Sequence, residues 1–290
     1  MSEARISFPR LASYLETIFL FTRSDYKTIF FPVIIFATAT APSTGAKQLI
    51  HTAIWVWIHL LQANVSNQTY SAHEDVINKP WRPLPSGRMT ADEARRFRWF
   101  LLVVCLCLSA WHGAGVLLAS TGLSLVEIFH DDFGFSSDPV LKNLCNVGGY
   151  LTFESGAILI LSSKTSVDHT SLVALLSSGL LIFTTIHAQD FADADGDRLS
   201  GRRTLPIVAP EGSRLYMLTA LPVWSIVLSA LWDLGPMCGT LFLVMGLFVG
   251  SQYFRFRDVQ HDQSSYLLYN VWLLAAHVLP MNARSRILIW

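Results

Sequence analysis

The chain has 290 residues, 52% of them hydrophobic and 14% charged, with a formal net charge of zero. A soluble domain carries roughly 25% charged residues, so this depletion excludes a fully hydrated surface and implies an integral membrane protein. Zero net charge argues against a nucleic-acid partner. The four cysteines, Cys105, Cys107, Cys145 and Cys238, lie in or beside apolar stretches. Two residues apart, Cys105 and Cys107 point to different sides of a helix, which reads as membrane packing and not as a disulfide framework.

Met1–Arg10 has mixed charges and no apolar core of the signal-peptide kind, so the first long hydrophobic segment is expected to direct insertion. Nine segments approach the ~20 apolar residues that a bilayer requires. They lie near 24–41, 46–66, 94–112, 113–129, 143–162, 170–189, 214–232, 236–254 and 264–283. Pro32 interrupts the first, and little more than His112 and Gly113 joins the third to the fourth. The expectation is an all-α, polytopic membrane protein of about nine transmembrane helices, forming one domain over 1–290. The N-terminus and the loops after the second, fourth, sixth and eighth segments hold 17 of the 21 Lys and Arg; Lys47, Lys164, Arg284 and Arg286 lie on the other side. The positive-inside rule places the basic side in the cytoplasm.

The second segment runs into NQTYSAHEDVINKPWRPLPSGR, Asn67–Arg88. Asn67, Ser71 and Asp75 stand at i, i+4 and i+8, one helical face, with Glu74 beside Asp75. Asn78, Lys79, Arg82 and Arg88 follow among Pro80, Pro83, Pro85 and Gly87, which forbid a continued helix. Topology puts this stretch at the cytoplasmic face, so its two glycosylation sequons, at Asn64 and Asn67, are expected to be unused. After the fourth segment, Asp131, Asp132 and Asp138 lack ordered spacing and read as a solvated acidic loop. The fifth segment contains Glu154, a costly intramembrane carboxylate that is either functional or a hydrogen-bonded packing residue. Asn143 and Asn146, one turn apart, are candidate pocket polars. Trp55, Trp57, Trp99 and Trp111 read as interface belt or core.

The sixth segment ends in QDFADADGDRLSGRRTLP, Gln189–Pro206. On a helix, Asp190, Asp193 and Asp197 fall at i, i+3 and i+7 and share a face. Three like charges on one face repel unless a divalent cation lies among their oxygens, and Mg²⁺ held by carboxylates and substrate phosphates fits that pattern. Arg198, Arg202 and Arg203 are placed to receive phosphate oxygens. An EF-hand reading fails, because the glycine falls at the fourth position of the loop and no acidic residue closes it. The two motifs lie four crossings apart on one side, a hint of an internal repeat.

Together these residues resemble the UbiA superfamily of intramembrane prenyltransferases over nearly the whole chain. The resemblance rests on Asp190, Asp193, Asp197, Gly201, Thr204, Leu205 and Pro206 and on the loop Asn78–Gly87. It implies a nine-helix fold that binds an isoprenyl diphosphate through Mg²⁺. The first motif departs from the family pattern: Asn67 and Asp75 keep the outer positions, while Gln68 and Ser71 stand where two aspartates are usual and Glu74 is added. That form looks like the fungal branch of UbiA-type terpene cyclases, which ionise one isoprenyl diphosphate (farnesyl or geranylgeranyl diphosphate) and close it into rings.

The resemblance further implies that Asn67, Glu74, Asp75, Asp190, Asp193 and Asp197 hold two or three Mg²⁺. Lys79, Arg82, Asn78, Arg198 and Arg202 are expected to bind the diphosphate. Tyr150, Phe153 and Phe183 are expected to face the isoprenyl tail as aromatic walls. Residence in the endoplasmic reticulum, among membrane lipid, follows from family and topology. A prenyltransferase acting on an aromatic or other small acceptor shares the first step and is the alternative. A transporter is disfavoured, because its ligand site would lie near the bilayer midplane.

Overall fold

The computed structural model describes residues 8–42 and 45–290, and among them there are helices and connecting turns but no strand. The expectation for the N-terminal leader falls mainly on residues 1–7, outside that range. In order come α1 (Phe8–Thr22), a π-turn (Tyr26–Phe30) leading directly into α2 (Phe31–Thr40), α3 (Ala46–Tyr70) and the short α4 (Ala72–Asn78). Next are α5 (Ala91–His112), α6 (Ala114–Glu127) with a π-turn (Ile128–Asp132) at its end, α7 (Pro139–Ser162) and α8 (His169–Thr185). A 3₁₀ turn (Ile186–Gln189) passes into α9 (Asp190–Leu199), followed by α10 (Leu205–Val208), α11 (Pro210–Leu231), α12 (Pro236–Arg255), α13 (Val259–Val278) and α14 (Asn282–Ser285).

Local chemistry sets these limits. Thr90 and Glu93 form a reciprocal capping box at the start of α5. Gly113, at φ 116°, turns the chain between α5 and α6 where an L side chain would be strained. Asp138, Asp168 and Asp258 cap α7, α8 and α13 through their carboxylates. Pro32 does not break its segment. It stands in the first turn of α2, behind the wide π-turn that absorbs its missing donor.

α7 is the central element, packed on α2, α3, α6 and α8. Gly156 makes one of these approaches possible: a Cβ there would lie 2.4 Å from the Trp55 ring. Trp55 is fully buried on α3 and donates its indole N–H to Ser109 on α5 at 2.8 Å, so the ring is buried without an orphaned donor. A large apolar core runs through α2, α3, α6, α7, α8, α11, α12 and α13. A smaller cluster, Phe21, Leu61, Val65, Ala94 and Leu101, ties α1 to α3 and α5. α1 lay outside every predicted span.

Among the described residues, four helical stretches are long and apolar enough to cross a membrane: α7, the continuous His169–Leu199 run, α11 and α12. Of the other tryptophans, Trp99 and Trp111 are exposed and Trp57 donates to Tyr26 Oη at 3.0 Å. Cys105 is buried, Cys107 is exposed, and all four cysteines are free thiols. Glu154 is fully buried, and its Oε2 has no hydrogen-bond partner. The residue accepts from Ser178 Oγ at 2.8 Å, has His277 Nε2 3.6 Å away, and does not line the large cavity described next. At the far end of the bundle from that cavity, Arg284 binds Asp168 and the Thr40 carbonyl, and Arg286 binds Asp233.

Candidate active site

A cavity of about 630 Å³ lies among the Tyr26–Phe30 turn, α3, α4, α6, α7, α9 and α13. One end is ionic. α9 starts at Asp190 because the 3₁₀ turn delivers it there, and the i, i+3, i+7 spacing then turns Asp190, Asp193 and Asp197 to the cavity. Each meets a cation. Lys142 Nζ lies 2.6 Å from Asp190, Lys79 Nζ 2.6 Å from Asp193, and Arg202 Nη1 3.6 Å from Asp197 and 2.7 Å from Glu74. Gly201 stops α9 at φ 72°, and the chain folds back so that the Arg202 N–H donates to the Asp197 carbonyl at 2.9 Å.

Gly196, inside the aspartate motif, is where α4 meets α9. A Cβ at this position would lie 2.3 Å from Asn78 Nδ2, and that amide donates to the Asp193 carbonyl at 3.2 Å. The glycine thus lets the two motifs touch.

The first motif keeps less of its expected geometry. α3 ends at Tyr70 and α4 starts at Ala72, with Ser71 between them still bonded to the Asn67 and Asp75 backbones, yet of Asn67, Ser71 and Asp75 only Asn67 lines the cavity. Asn67 and Glu74 line the cavity. Asp75 does not; both its oxygens receive Arg82 Nη1, at 2.8 and 2.9 Å, and Ser71 donates to it at 3.2 Å. Asp75 therefore orients Arg82, which does line the cavity. Gln68 is fully buried and donates to the Phe21 carbonyl on α1 at 2.9 Å, turned away from the cavity. Burial pushes the Glu74 carboxyl up to about 7, with Arg202 pulling against the shift and Asp197 and Asp75 adding to it.

Two expected residues lie elsewhere. Arg198 is exposed and pairs with Asp195 at 3.0 Å, outside the cavity. Phe183 is partly exposed and does not form a cavity wall; its carbonyl accepts from Asn143. The other aromatic expectations meet the cavity. Tyr150 lines it and donates to the Thr28 carbonyl at 2.8 Å, and Phe153 lines it with its ring edge-on to Trp55. Leu60, Ile29, Leu123, Val126 and Ile186 complete the apolar part.

Several cavity residues escaped the sequence reading, among them Lys142, Asp131 and Glu127. Lys142 was counted only as a loop charge; it is a buried residue of α7 held to Asp190. Asp131 was read as solvated; it is buried, accepts from Ser66 Oγ and faces Asn67 Nδ2 at 3.4 Å. Of its neighbours, Asp132 pairs with Arg98 and Asp138 caps α7. Glu127 also lines the cavity. The available signal was a face: Leu123, Val126, Glu127, His130 and Asp131 recur at helical spacing once the segment is continued past 129.

The fit to a metal is chemical. Among the described residues no three acidic, His or Cys side chains converge closely enough to hold an ion, because Lys79, Lys142 and Arg202 lie between them. The donors are nonetheless the hard carboxylate and amide oxygens that Mg²⁺ takes, and the buried Asp197 Oδ2 has no hydrogen-bond partner.

The model of the UbiA prenyltransferase family matches residues 29–274. The chain belongs to that family. Fumagillin beta-trans-bergamotene synthase of Aspergillus fumigatus is 30% identical, the match covering 94% of each chain. The diterpene cyclase eriG of Hericium erinaceus is 28% identical over 90% of this chain and 86% of that one. The polyprenyl transferase eriF of Hericium erinaceus is likewise 28% identical, over 90% and 92%. The structure of a UbiA homologue from Archaeoglobus fulgidus bound to GPP and Mg²⁺ superposes with TM-score 0.65 over 91% of this chain and 99% of that one, at 13% identity. The UbiA fold is therefore shared, and the chain is a UbiA-superfamily enzyme.

Proposed function

We propose that this chain is a membrane-embedded, Mg²⁺-dependent terpene cyclase that ionises farnesyl or geranylgeranyl diphosphate and closes the resulting cation into a sesquiterpene or diterpene. The observation that carries the reading is one continuous cavity with an acidic and basic end and an aromatic, aliphatic end. The diphosphate belongs at the first and the isoprenyl tail at the second.

Asp190, Asp193 and Asp197, with Asn67 and Glu74, are the residues that would hold Mg²⁺. Bound there, it supplies Lewis-acid stabilisation of the departing diphosphate. Lys79, Lys142, Arg82 and Arg202 take phosphate oxygens, and Asn78 keeps α4 against α9. The bond between C1 and oxygen breaks with its electron pair leaving on the diphosphate. The allyl cation then faces Tyr150 and Phe153, whose ring faces favour positive charge. Cyclase chemistry is further supported by the orientation of Gln68 and Ser71. Neither lines the cavity, so nothing of the two missing aspartates survives there.

Nine crossings in a single domain over 1–290, with both motif loops cytoplasmic and the protein in the endoplasmic reticulum membrane, complete the proposal. Prenyl transfer to a small acceptor is the second reading, favoured by the eriF match. Membranes carrying the protein, incubated with Mg²⁺ and C10, C15 or C20 diphosphate without acceptor, should yield a cyclic hydrocarbon or alcohol by gas chromatography–mass spectrometry. A product seen only after adding a phenolic acceptor would establish the second reading.

A further inference from the structure

The α6 face that lines the cavity carries a carboxylate that the ionisation chemistry does not use. Glu127 is buried, and neither of its oxygens has a hydrogen-bond partner. Among the described residues it is alone in this among the cavity carboxylates. Asp190, Asp193, Asp197 and Glu74 meet Lys142, Lys79 and Arg202, Asp25 accepts from Ser24 and Thr28, and Asp131 accepts from Ser66. The charged groups around Glu127 do not neutralise it: Asp131 repels it, and Arg98 is committed to Asp132 and Tyr70. Its polar neighbour is the Gln62 amide of α3, which favours the ionised form without reaching full hydrogen-bond geometry.

A buried carboxyl with no counter-charge adds no ion pair to the fold, which leaves it free for proton transfer. Its depth indicates where along the substrate. Gln62 precedes Asn67 by five residues, which places Glu127 about 7.5 Å along the helix axis from the level of the ionic end. On α6 itself it follows Leu123 and Val126, apolar residues of the same cavity face. Under the cyclase reading Glu127 would therefore lie beside the chain of the substrate, several carbons from the diphosphate.

We propose that Glu127 is the base that ends the reaction. Its carboxylate removes a proton from the carbon next to the final cationic centre; the C–H bond breaks, its electron pair becomes the new C=C bond, and the proton stays on Glu127. Release to water resets the residue. The assignment rests on the cyclase reading above and names the group that closes its catalytic cycle.

The test compares wild type with Glu127→Gln, an isosteric change that removes the charge, in purified detergent-solubilised protein with Mg²⁺ and the accepted isoprenyl diphosphate. Diphosphate release and organic products are measured in the same samples. The expected result is continued diphosphate release with the native hydrocarbon reduced on the order of 10²-fold, the range lost with a general base, and replaced by alcohols or isomeric olefins. An unchanged product spectrum overturns the assignment, as does loss of hydrocarbon and diphosphate release together, which would make Glu127 part of ionisation. Should the glutamine variant not accumulate, Glu127→Asp withdraws the carboxylate by one methylene; altered ratios of double-bond isomers support the assignment and identical ratios overturn it. A wild-type protein that makes no hydrocarbon without acceptor sinks the cyclase reading and this assignment with it, whereas wild-type hydrocarbon with an unaltered Glu127→Gln spectrum sinks the base alone.

Discussion

On α9 the carboxylates of Asp190, Asp193 and Asp197 keep an unbroken helical register and all three turn to the cavity, whereas of Asn67, Ser71 and Asp75 around the Ser71 bend only Asn67 does. Asn67 and Glu74 stay on the cavity side of that bend, while Gln68 is anchored to α1 and Asp75 to Arg82. A carboxylate from a third element, Asp131, comes to Asn67 instead. Helical spacing thus marks the cavity face of α9, while at the α3–α4 junction tertiary partners decide which side chains reach the cavity.

If α9 is the principal ionising surface, Asp193→Asn is the most damaging single change. It should lower kcat by 10²–10³-fold or more, roughly the cost of losing a preorganised electrostatic contact, with membrane expression at wild-type level. Asp131→Asn tests whether the third element matters. An expected loss of about 10–100-fold, typical of groups that orient ligands, contrasts with no loss if Asp131 only packs against Ser66 and Asn67.

Gln68→Asp sharpens the comparison from the opposite direction, because it writes back a family aspartate. The carboxylate would face the Phe21 carbonyl with no proton to donate. Thermal denaturation should therefore show a loss of about 1–3 kcal/mol and assays no gain in activity; a gain would mean that this position does reach the substrate.

Glu74 brings a pH limb. With its carboxyl raised to about 7, the residue is neutral below that pH and becomes a charged ligand above it. In wild type kcat/KM should rise as pH passes through about 7, and Glu74→Gln should flatten that rise. The sign for folding is opposite. Stability gained from the raised carboxyl is present below the ordinary value of 4.5 and lost as pH climbs through about 7. The smallest effect is expected at Arg198, whose alanine variant should stay within about 0.5 kcal/mol in stability and keep its turnover, since the side chain pairs with Asp195 in solvent.

Much of this was legible in the sequence for physical reasons. Composition excludes a hydrated surface, and the spacing of Asp190, Asp193 and Asp197 marks the face they occupy. What was hidden depends on tertiary contact or on where a helix stops. Lys142 looks like a loop cation until α7 is seen to begin at Pro139, and Ser71 gives no sign that it bends the chain. Arg198 and Arg202 are alike as neighbours of an acidic motif. The turn at Gly201 sends Arg202 back to Asp197 and leaves Arg198 outside. Glu127 was hidden by inconsistency: the rule that singles out Glu154 as an intramembrane carboxylate applies to it equally, and it is Glu127 that faces the cavity.

The central claim is that this cavity turns an isoprenyl diphosphate into a cyclic product unaided by a second substrate. The most direct test is the stoichiometry of diphosphate released to cyclic product formed, in purified protein with Mg²⁺ and no acceptor, for wild type and Asp193→Asn. One cyclic molecule per diphosphate in wild type, and neither in the variant, is the expected result. Diphosphate release that begins only when a phenolic acceptor is added would contradict it.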